Sequence, residues 1–508
     1  MSEIQPLIDL SNKLQEKYSN YSKLNWTSYT VGFDFGLDDA HKEMKAVLED
    51  PKNFDLIRSH REKDLSAEDA RRVEILHKEF EPYHLSKELN EVGDRIFEVK
   101  TKLSNLLNNF RNTIDGKEVQ STEISKILRT SEDREHRKKA YKAMSQINKP
   151  LVDGGFIELL NLRKEYAKIY GAKNFVELEL KKNELSPKIF EGWRETTTSN
   201  LAERTKKRTG FGQKYLGIEQ LMPWDEAHLG TKIAPLKQKK VGMINYYEPM
   251  KELFLKFGFD IGSKNITYDV FPRKNKSEWG YHFTISPGKD ARILANIDDQ
   301  YSHFWVLLHE TGHAAHFSHT DPDDVIMNMG ISGIISEGIA NLFGYLGNEE
   351  IFYSKFFPNE LGEAKTQFEN AKEWSKINAL NSVQPILFDQ SLYLENLQSL
   401  DDINNLKWKM MKDLDGVERF DGEPNWGFLI HHTTHPIYLQ NYFMGDVTCE
   451  MLKKSYLKQS SSKKITDNPL EFGSYLLENV VKPSGRYNFE QLFNNLSGDN
   501  FNLNYLIN

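Results

Sequence analysis

A single cysteine, Cys449, stands in a chain of 508 residues. An intramolecular disulfide needs two, so no oxidising compartment is required for folding. The segment Asp446-Val447-Thr448-Cys449-Glu450 offers the thiol no activating pattern, and Cys449 reads as a buried structural group. Long apolar runs are also missing. No stretch approaches the ~18 uninterrupted apolar residues of a membrane span, and Met1-Ser2-Glu3-Ile4-Gln5 does not begin a positive segment followed by an apolar one. The expectation is a cytoplasmic protein without a membrane partner. Nor is there an excess of positive charge: 66 Lys and Arg face 74 Asp and Glu, for a net charge of −8 and a pI near 6.1. The densest basic clusters, Lys206-Lys207-Arg208 and Lys239-Lys240, are short and read as solvated surface. A nucleic-acid partner is therefore not expected. There is no internal repeat and no low-complexity linker.

What is present is an ordinary globular composition, 39% hydrophobic and 28% charged, with 30 Phe, 22 Tyr and 8 Trp. That many rings suit a large interior or a ring-lined cavity. The first ~260 residues read as successive helices. Val92, Ile96, Val99, Leu103, Leu106 and Phe110 recur at three- and four-residue spacing, and Ser121-Thr122-Glu123 and Ser131-Glu132-Asp133 resemble helix starts. Convincing strand signals lie only between about 265 and 297. Ile266–Phe271 alternates, Trp279–Ser286 is aromatic and β-branched, Ser286-Pro287-Gly288-Lys289-Asp290 turns, and Arg292–Ile297 follows. These predict a small sheet with a hairpin. Asp298-Asp299 then reads as the cap of a long helix through Trp305 and Leu308. The remainder is helical.

The segment His309-Glu310-Thr311-Gly312-His313 carries the chemistry. Residues four apart share a helix face, so both imidazoles can reach one ion. Zinc accepts two such ligands and leaves room for a third and a water. Glu310, beside the first ligand, can serve as general base. The apolar run Phe304-Trp305-Val306-Leu307-Leu308 places this helix in the interior, where two imidazoles and a carboxylate are costly unless paired or metal-bound.

Two sources of a third ligand compete. His316 and His319 extend the run toward the metzincin pattern, but that pattern needs a glycine to bend the chain at 316, where this sequence has His. Alternatively a second helix supplies Glu337, 24 residues after His313, with Asn341 one turn further on to orient an imidazole. Ile334, Ile335, Ile339 and Leu342 would seat that helix in the core. A second constellation lies at 425–443, where His431, His432, His435, Tyr438 and Tyr442 offer donors suited to a tetrahedral oxyanion.

With these residues in view, the chain resembles the HExxH-plus-Glu zinc peptidases of the angiotensin-converting enzyme and thimet oligopeptidase/oligoendopeptidase F group. Residues 309–316 look like the oligopeptidase pattern HExGHxxH, while the Glu337 and Asn341 pair is more similar to the converting-enzyme branch. The likeness is specific over about 265–447 and weaker over about 120–185. It implies a mostly α-helical, two-lobed ellipsoid with a deep central channel and a small β-sheet next to the zinc helix. It implies one peptidase unit over 1–508, with lid helices in about 1–110 and the zinc-site core in 265–460.

By the same likeness, one zinc ion would be held by His309, His313 and Glu337, with Asn341 behind them. Glu310, Tyr442 and His432 would be catalytic. His282 would bind near the scissile carbonyl, Phe283 and Thr284 would pair with substrate as an added strand, and Tyr438 would contact substrate. His431 or His435 replaces His432 if the register slips.

Where the converting-enzyme branch anchors a substrate carboxylate with a lysine, this chain has Ile430. The implied activity is hydrolysis of short unfolded peptides, as an oligoendopeptidase. A peptidyl-dipeptidase or carboxypeptidase and a non-catalytic peptide-binding protein remain as alternatives. Oligomeric state is left open.

Overall fold

The computed structural model describes residues 3–242, 246–277 and 280–507. Helix accounts for 69% of the chain and strand for 5%, so the fold is mostly helical. The chain forms two compact units. One gathers Met1–Leu85, Gln238–Ala364 and Met444–Phe501, and the other Ser86–Lys237, Lys365–Phe443 and Asn502–Asn508. The division falls inside the helix Leu439–Gln459. Among the described residues no helix is long and apolar enough to cross a membrane.

The strands form two small sheets. β1 (Asn112–Ile114) and β2 (Lys117–Val119) make an antiparallel hairpin that the sequence reading missed. Its two-residue turn is Asp115-Gly116, both with positive φ (49° and 77°), the combination that an Asp-Gly pair permits and that matches strand twist. Strands of three residues are too short for alternation to register. The expected sheet is present as β3 (Ile266–Asp269), β4 (Tyr281–Ser286) and β5 (Asp290–Leu294), in the order β3-β5-β4. β4 and β5 form the predicted hairpin, and β3 runs parallel to β5. β4 is thus an edge strand. Trp279, where the aromatic run begins, lies outside the described residues, as do Met1 and Ser2.

In the first unit the long helix α1 (Gln5–Val31) buries Leu7, Leu10 and Leu14 in a cluster with Val73, Leu76, Phe80, Ile326 and Met327. The metal-motif helix, Phe304–Ser318, packs against the sheet on one side and against the helix Gly333–Leu346 on the other. Its start differs from the expectation. Asp298 accepts from Gln300 N at 2.8 Å and so turns the chain into a short 3₁₀ segment, Tyr301–His303; the α-helix begins only at Phe304. A cap shifts likewise at Ser131-Glu132-Asp133. Asp133, not Ser131, accepts from Glu135 and His136 N–H, because a carboxylate next to the first turn reaches both donors. Ser121 is the first residue inside its helix and caps nothing.

In the second unit one basic residue of the 206–208 cluster leaves the surface. Lys206 and Lys207 are solvated, but Arg208 is buried and ion-paired to Glu226.

Candidate metal centre

Two helices build the centre. His309 and His313 lie one turn apart on Phe304–Ser318, with ring centroids 4.9 Å apart and planes nearly perpendicular. Glu337 comes from Gly333–Leu346 and stands 3.6 Å from His309 Nε2 and 3.7 Å from His313 Nε2. Two donors each about 2.0–2.1 Å from one tetrahedral zinc lie about 3.4 Å apart. The three side chains therefore fit a single ion with little movement, and among the described residues they are the one His/Cys/Asp/Glu group close enough to hold a metal.

The helices approach closely because their contact positions lack side chains. A Cβ on Gly312 would lie 2.8 Å from Ala340 Cα, and one on Gly445 would lie 2.6 Å from Glu337 Cβ. Contacts under 3.0 Å at backbone or Cβ atoms force a shift of the partner element. Gly445→Ala is thus expected to displace Glu337 while leaving all three donor residues unaltered in sequence. Zinc affinity should fall by roughly 10–100-fold, the scale seen when a ligand's support is lost, as read by competition with a chromophoric chelator. Unchanged affinity would show that the ligand carboxylate tolerates the displacement.

The electrostatics favour a cation. Burial holds the His309 imidazole down to about 4, against an upward pull from the Asn341 side chain. Burial also holds His313 well below its ordinary value. Both rings are neutral, the form that ligates. His313 Nδ1 is hydrogen-bonded to Ser336 Oγ at 2.7 Å; with Nδ1–H donating, the Nε2 lone pair faces Glu337. Burial raises Glu337 to about 7, helped by Asp446, and raises Glu310 to about 8, helped by Glu337. Buried carboxylates beside neutral imidazoles lack a compensating positive charge, and a divalent ion supplies one. The chemistry of the donors suits zinc.

Asn341 was read from the sequence, but its partner Asp446, Tyr345 and the stacking of Trp305 were not. Asn341 Nδ2 donates to Asp446 Oδ1 at 2.8 Å, and the Tyr345 hydroxyl donates to the same oxygen at 2.7 Å. Trp305 stacks on His309, with centroids 4.9 Å apart. His309 Nδ1 is buried without a well-formed hydrogen bond.

The competing ligand His319 instead bonds its own helix, Nδ1 to Ala315 O at 2.8 Å. His316 is wholly buried with both ring nitrogens unpartnered.

The edge strand reaches this centre. A Cβ on Gly280 would meet Glu310 Oε1 at 3.3 Å. His282 lies parallel to His313 and to Phe317, at 5.9 and 5.5 Å between centroids. Phe283 turns to the other face and meets Tyr29. The Thr284 carbonyl accepts from Ser22 Oγ at 3.3 Å and the Ile285 carbonyl from Ser19 Oγ at 2.8 Å, so the outer edge of β4 is open at Tyr281–Phe283 and closed by α1 beyond.

His432, Tyr438 and Tyr442 belong to the second unit. His432 is buried, and its Nδ1 is hydrogen-bonded to Asp389 Oδ1 at 2.9 Å. The other Asp389 oxygen accepts from Ile437 N at 2.6 Å. His432 Nε2 is buried without a hydrogen-bond partner. Asp389 was not singled out in the sequence. Tyr438 and Tyr442 are exposed and pack edge-on at 5.4 Å. His431 lies edge-on to Tyr442, and His435 bonds Thr434 Oγ1.

Known proteins share part of this sequence and the fold as a whole. Residues 127–255 match the sequence profile of the family described as Peptidase family M3. That segment lies upstream of the HExxH helix and of the residues that carry the resemblance most specifically. The oligopeptidase PepF of Bacillus subtilis (strain 168) is 26% identical over 224 residues, 41% of this chain. The match spans about a third of that relative's length, 32%.

Solved structures match over nearly the whole chain. The M32 carboxypeptidase of Deinococcus radiodurans R1 gives a TM-score of 0.68 at 13% identity, covering 100% of this chain and 97% of that one. PZ peptidase A, solved with an inhibitor, gives 0.71 at 16% identity, covering 98% and 95%. A carboxypeptidase of Pyrococcus furiosus gives 0.67 at 14%, covering 100% and 98%. The chain thus has the helical fold seen in these carboxypeptidases and in PZ peptidase A, and residues 127–255 are similar to Peptidase family M3.

Proposed function

We propose that this protein is a zinc metallopeptidase that cleaves short peptides as an oligoendopeptidase. The observation that carries this reading is the convergence of His309, His313 and Glu337 on one point, with Glu310 beside them. Zinc held by His309, His313 and Glu337 would supply a Lewis acid for the scissile carbonyl and would acidify a water. Glu310 takes the proton of that water and returns it to the leaving amine. A substrate pairing with β4 over Tyr281–Phe283 brings its backbone past Glu310, since Gly280 leaves no side chain between them.

His432 and Tyr442 are the proposed oxyanion donors. Asp389 supports that role for His432: it fixes the ring through Nδ1, and Nε2 has no other hydrogen-bond partner. Asn341, held by Asp446, is proposed to support His309. Tyr438 is proposed as a substrate contact.

The alternative is release of residues from the substrate C-terminus. The whole-chain likeness to two carboxypeptidase structures favours it, and Ile430 in the place of an anchoring lysine opposes it. Mass spectrometry of products from short peptides with free and amidated C-termini separates the two, with Glu310→Ala as the blank. Internal cuts indifferent to amidation are expected. Trimming confined to free C-termini would make the protein a carboxypeptidase, and no product from zinc-loaded protein would leave a peptide-binding protein.

A further inference from the structure

Alternation along β4 sends His282 toward the metal helix and sends Tyr281 and Phe283 to the opposite face. There they meet Tyr29 of α1. The Tyr29 ring stands edge-on to Tyr281 at 5.3 Å and to Phe283 at 5.7 Å, and those two rings are 6.0 Å apart.

The three rings do not form an ordinary buried cluster. Tyr29 is 38% exposed and Tyr281 36%, and in the loop that follows α1 Phe33 and Phe35 are 63% and 55% exposed while stacked edge-on at 5.0 Å. Aromatic rings left partly in water on one strand and the helix beside it mark a binding site more often than chance exposure.

The backbone around Tyr29 is held in place. Ser277 N donates to the Tyr29 carbonyl at 2.8 Å, and Arg273 Nη2 donates to the Thr30 carbonyl at 2.5 Å while Nη1 holds Asp269. Gly32 has φ +69° and its backbone passes so near Asn275 that a Cβ would lie 2.3 Å from the Asn275 carbonyl oxygen. The end of α1 is therefore locked to the segment that leads into β4. Lys276 fixes that segment in turn, donating to the carbonyls of Asp269, Phe271 and Ala295.

The same helix ends the pairing edge. Ser22 occupies the Thr284 carbonyl, and Ser19 the Ile285 carbonyl. Alternate residues of an antiparallel strand turn their backbone outward, so along Tyr281–Phe283, about 10 Å of strand, a peptide added to β4 pairs with His282. Gly280, at the start of that stretch, faces Glu310.

We propose that Tyr29, Tyr281 and Phe283 form a subsite for one large apolar side chain of the peptide substrate, placed within about three residues of the bond that is cut. The occupant is the substrate itself, because the ring cluster and the centre are continuous through one strand. The inference rests on the peptidase reading and adds a side-chain preference to it.

The test walks a single Phe through an otherwise Ala/Ser/Gly nonapeptide and compares each kcat/KM with that of the Ala version. The wild-type protein is expected to favour Phe by about tenfold or more at one position near the cut, the scale of a filled apolar pocket. In Tyr29→Ala the Phe-to-Ala ratio should collapse toward one, and Tyr29→Phe should restore it. Tyr29 is partly exposed, so its truncation opens no buried cavity, and a thermal melt checks the fold. A ratio that survives Tyr29→Ala, or one that falls equally in Tyr29→Phe, would overturn the subsite.

If the wild-type protein cuts none of these peptides, the peptidase reading fails. Calorimetric binding of the same Phe and Ala peptides then decides the subsite independently. Tighter binding of the Phe peptide, lost in Tyr29→Ala, supports it, and equal affinities overturn it.

Discussion

Glu310→Gln is expected to keep its zinc and lose roughly 10³-fold in turnover, within the range a positioned general base contributes. The side chain follows His309 on the same helix and lies outside the group of His309, His313 and Glu337 that could hold an ion. Its removal should therefore leave metal content, measured by inductively coupled plasma mass spectrometry, at about one ion per chain. Gln has the shape of Glu but no carboxylate to take a proton. Glu310 is buried, and burial together with the nearby Glu337 raises its carboxyl to about 8. Gln matches Glu in shape and volume, so the variant should unfold near the wild-type temperature. This combination separates a lost base from a lost fold. Wild-type turnover in Glu310→Gln would remove the residue from the reaction. Loss of zinc as well as turnover would make it a ligand.

The parts of this centre that were legible in the sequence are those fixed by periodicity within one helix. His309 and His313 share a face because they are four apart, and Glu337 could be proposed because Ile334, Ile335, Ile339 and Leu342 describe an inward face; all four of those are buried. The sheet was legible from alternation and a Pro-Gly turn. What escaped depends on approach between distant segments. Asp446 meets Asn341 across 105 residues of sequence, and Asp389 meets His432 across 43. No local pattern distinguishes these carboxylates from solvated ones.

Gly312, Gly338 and Gly445 each sit where a Cβ would collide with a neighbouring helix, yet in sequence they look like ordinary helix interruptions. Arg208 was misplaced for a related reason. Its neighbours Lys206 and Lys207 are solvated, while the helix turns Arg208 inward to Glu226. The edge strand shows the same limit. Its alternation was visible, but Ser19 and Ser22 of α1, more than 260 residues upstream, close part of it.

The second large effect is expected at Glu337. Glu337→Ala leaves two imidazoles facing one another with no anionic ligand. The remaining donors are neutral, because burial holds both rings below their ordinary range. Two neutral ligands hold a dication far less well than three with a carboxylate, so zinc affinity should fall by more than about 100-fold, beyond what loss of a supporting hydrogen bond produces. Turnover should fall with metal content and recover in part at high zinc concentration.

The substitution removes volume where Gly445 already packs on the Glu337 Cβ, so it adds no clash and the helix should keep its place. Asp446→Asn is the informative companion. It leaves the ligand carboxylate in place, weakens the acceptor of Asn341 and Tyr345, and should reduce affinity by only roughly 10–100-fold. Equal losses in the two variants would mean that Glu337 acts through its surroundings and not on the metal. Full retention of zinc and activity in Glu337→Ala would take it out of the site. No other His, Cys, Asp or Glu among the described residues lies close enough to His309 and His313 to take its place, so the one-ion centre would fall with it.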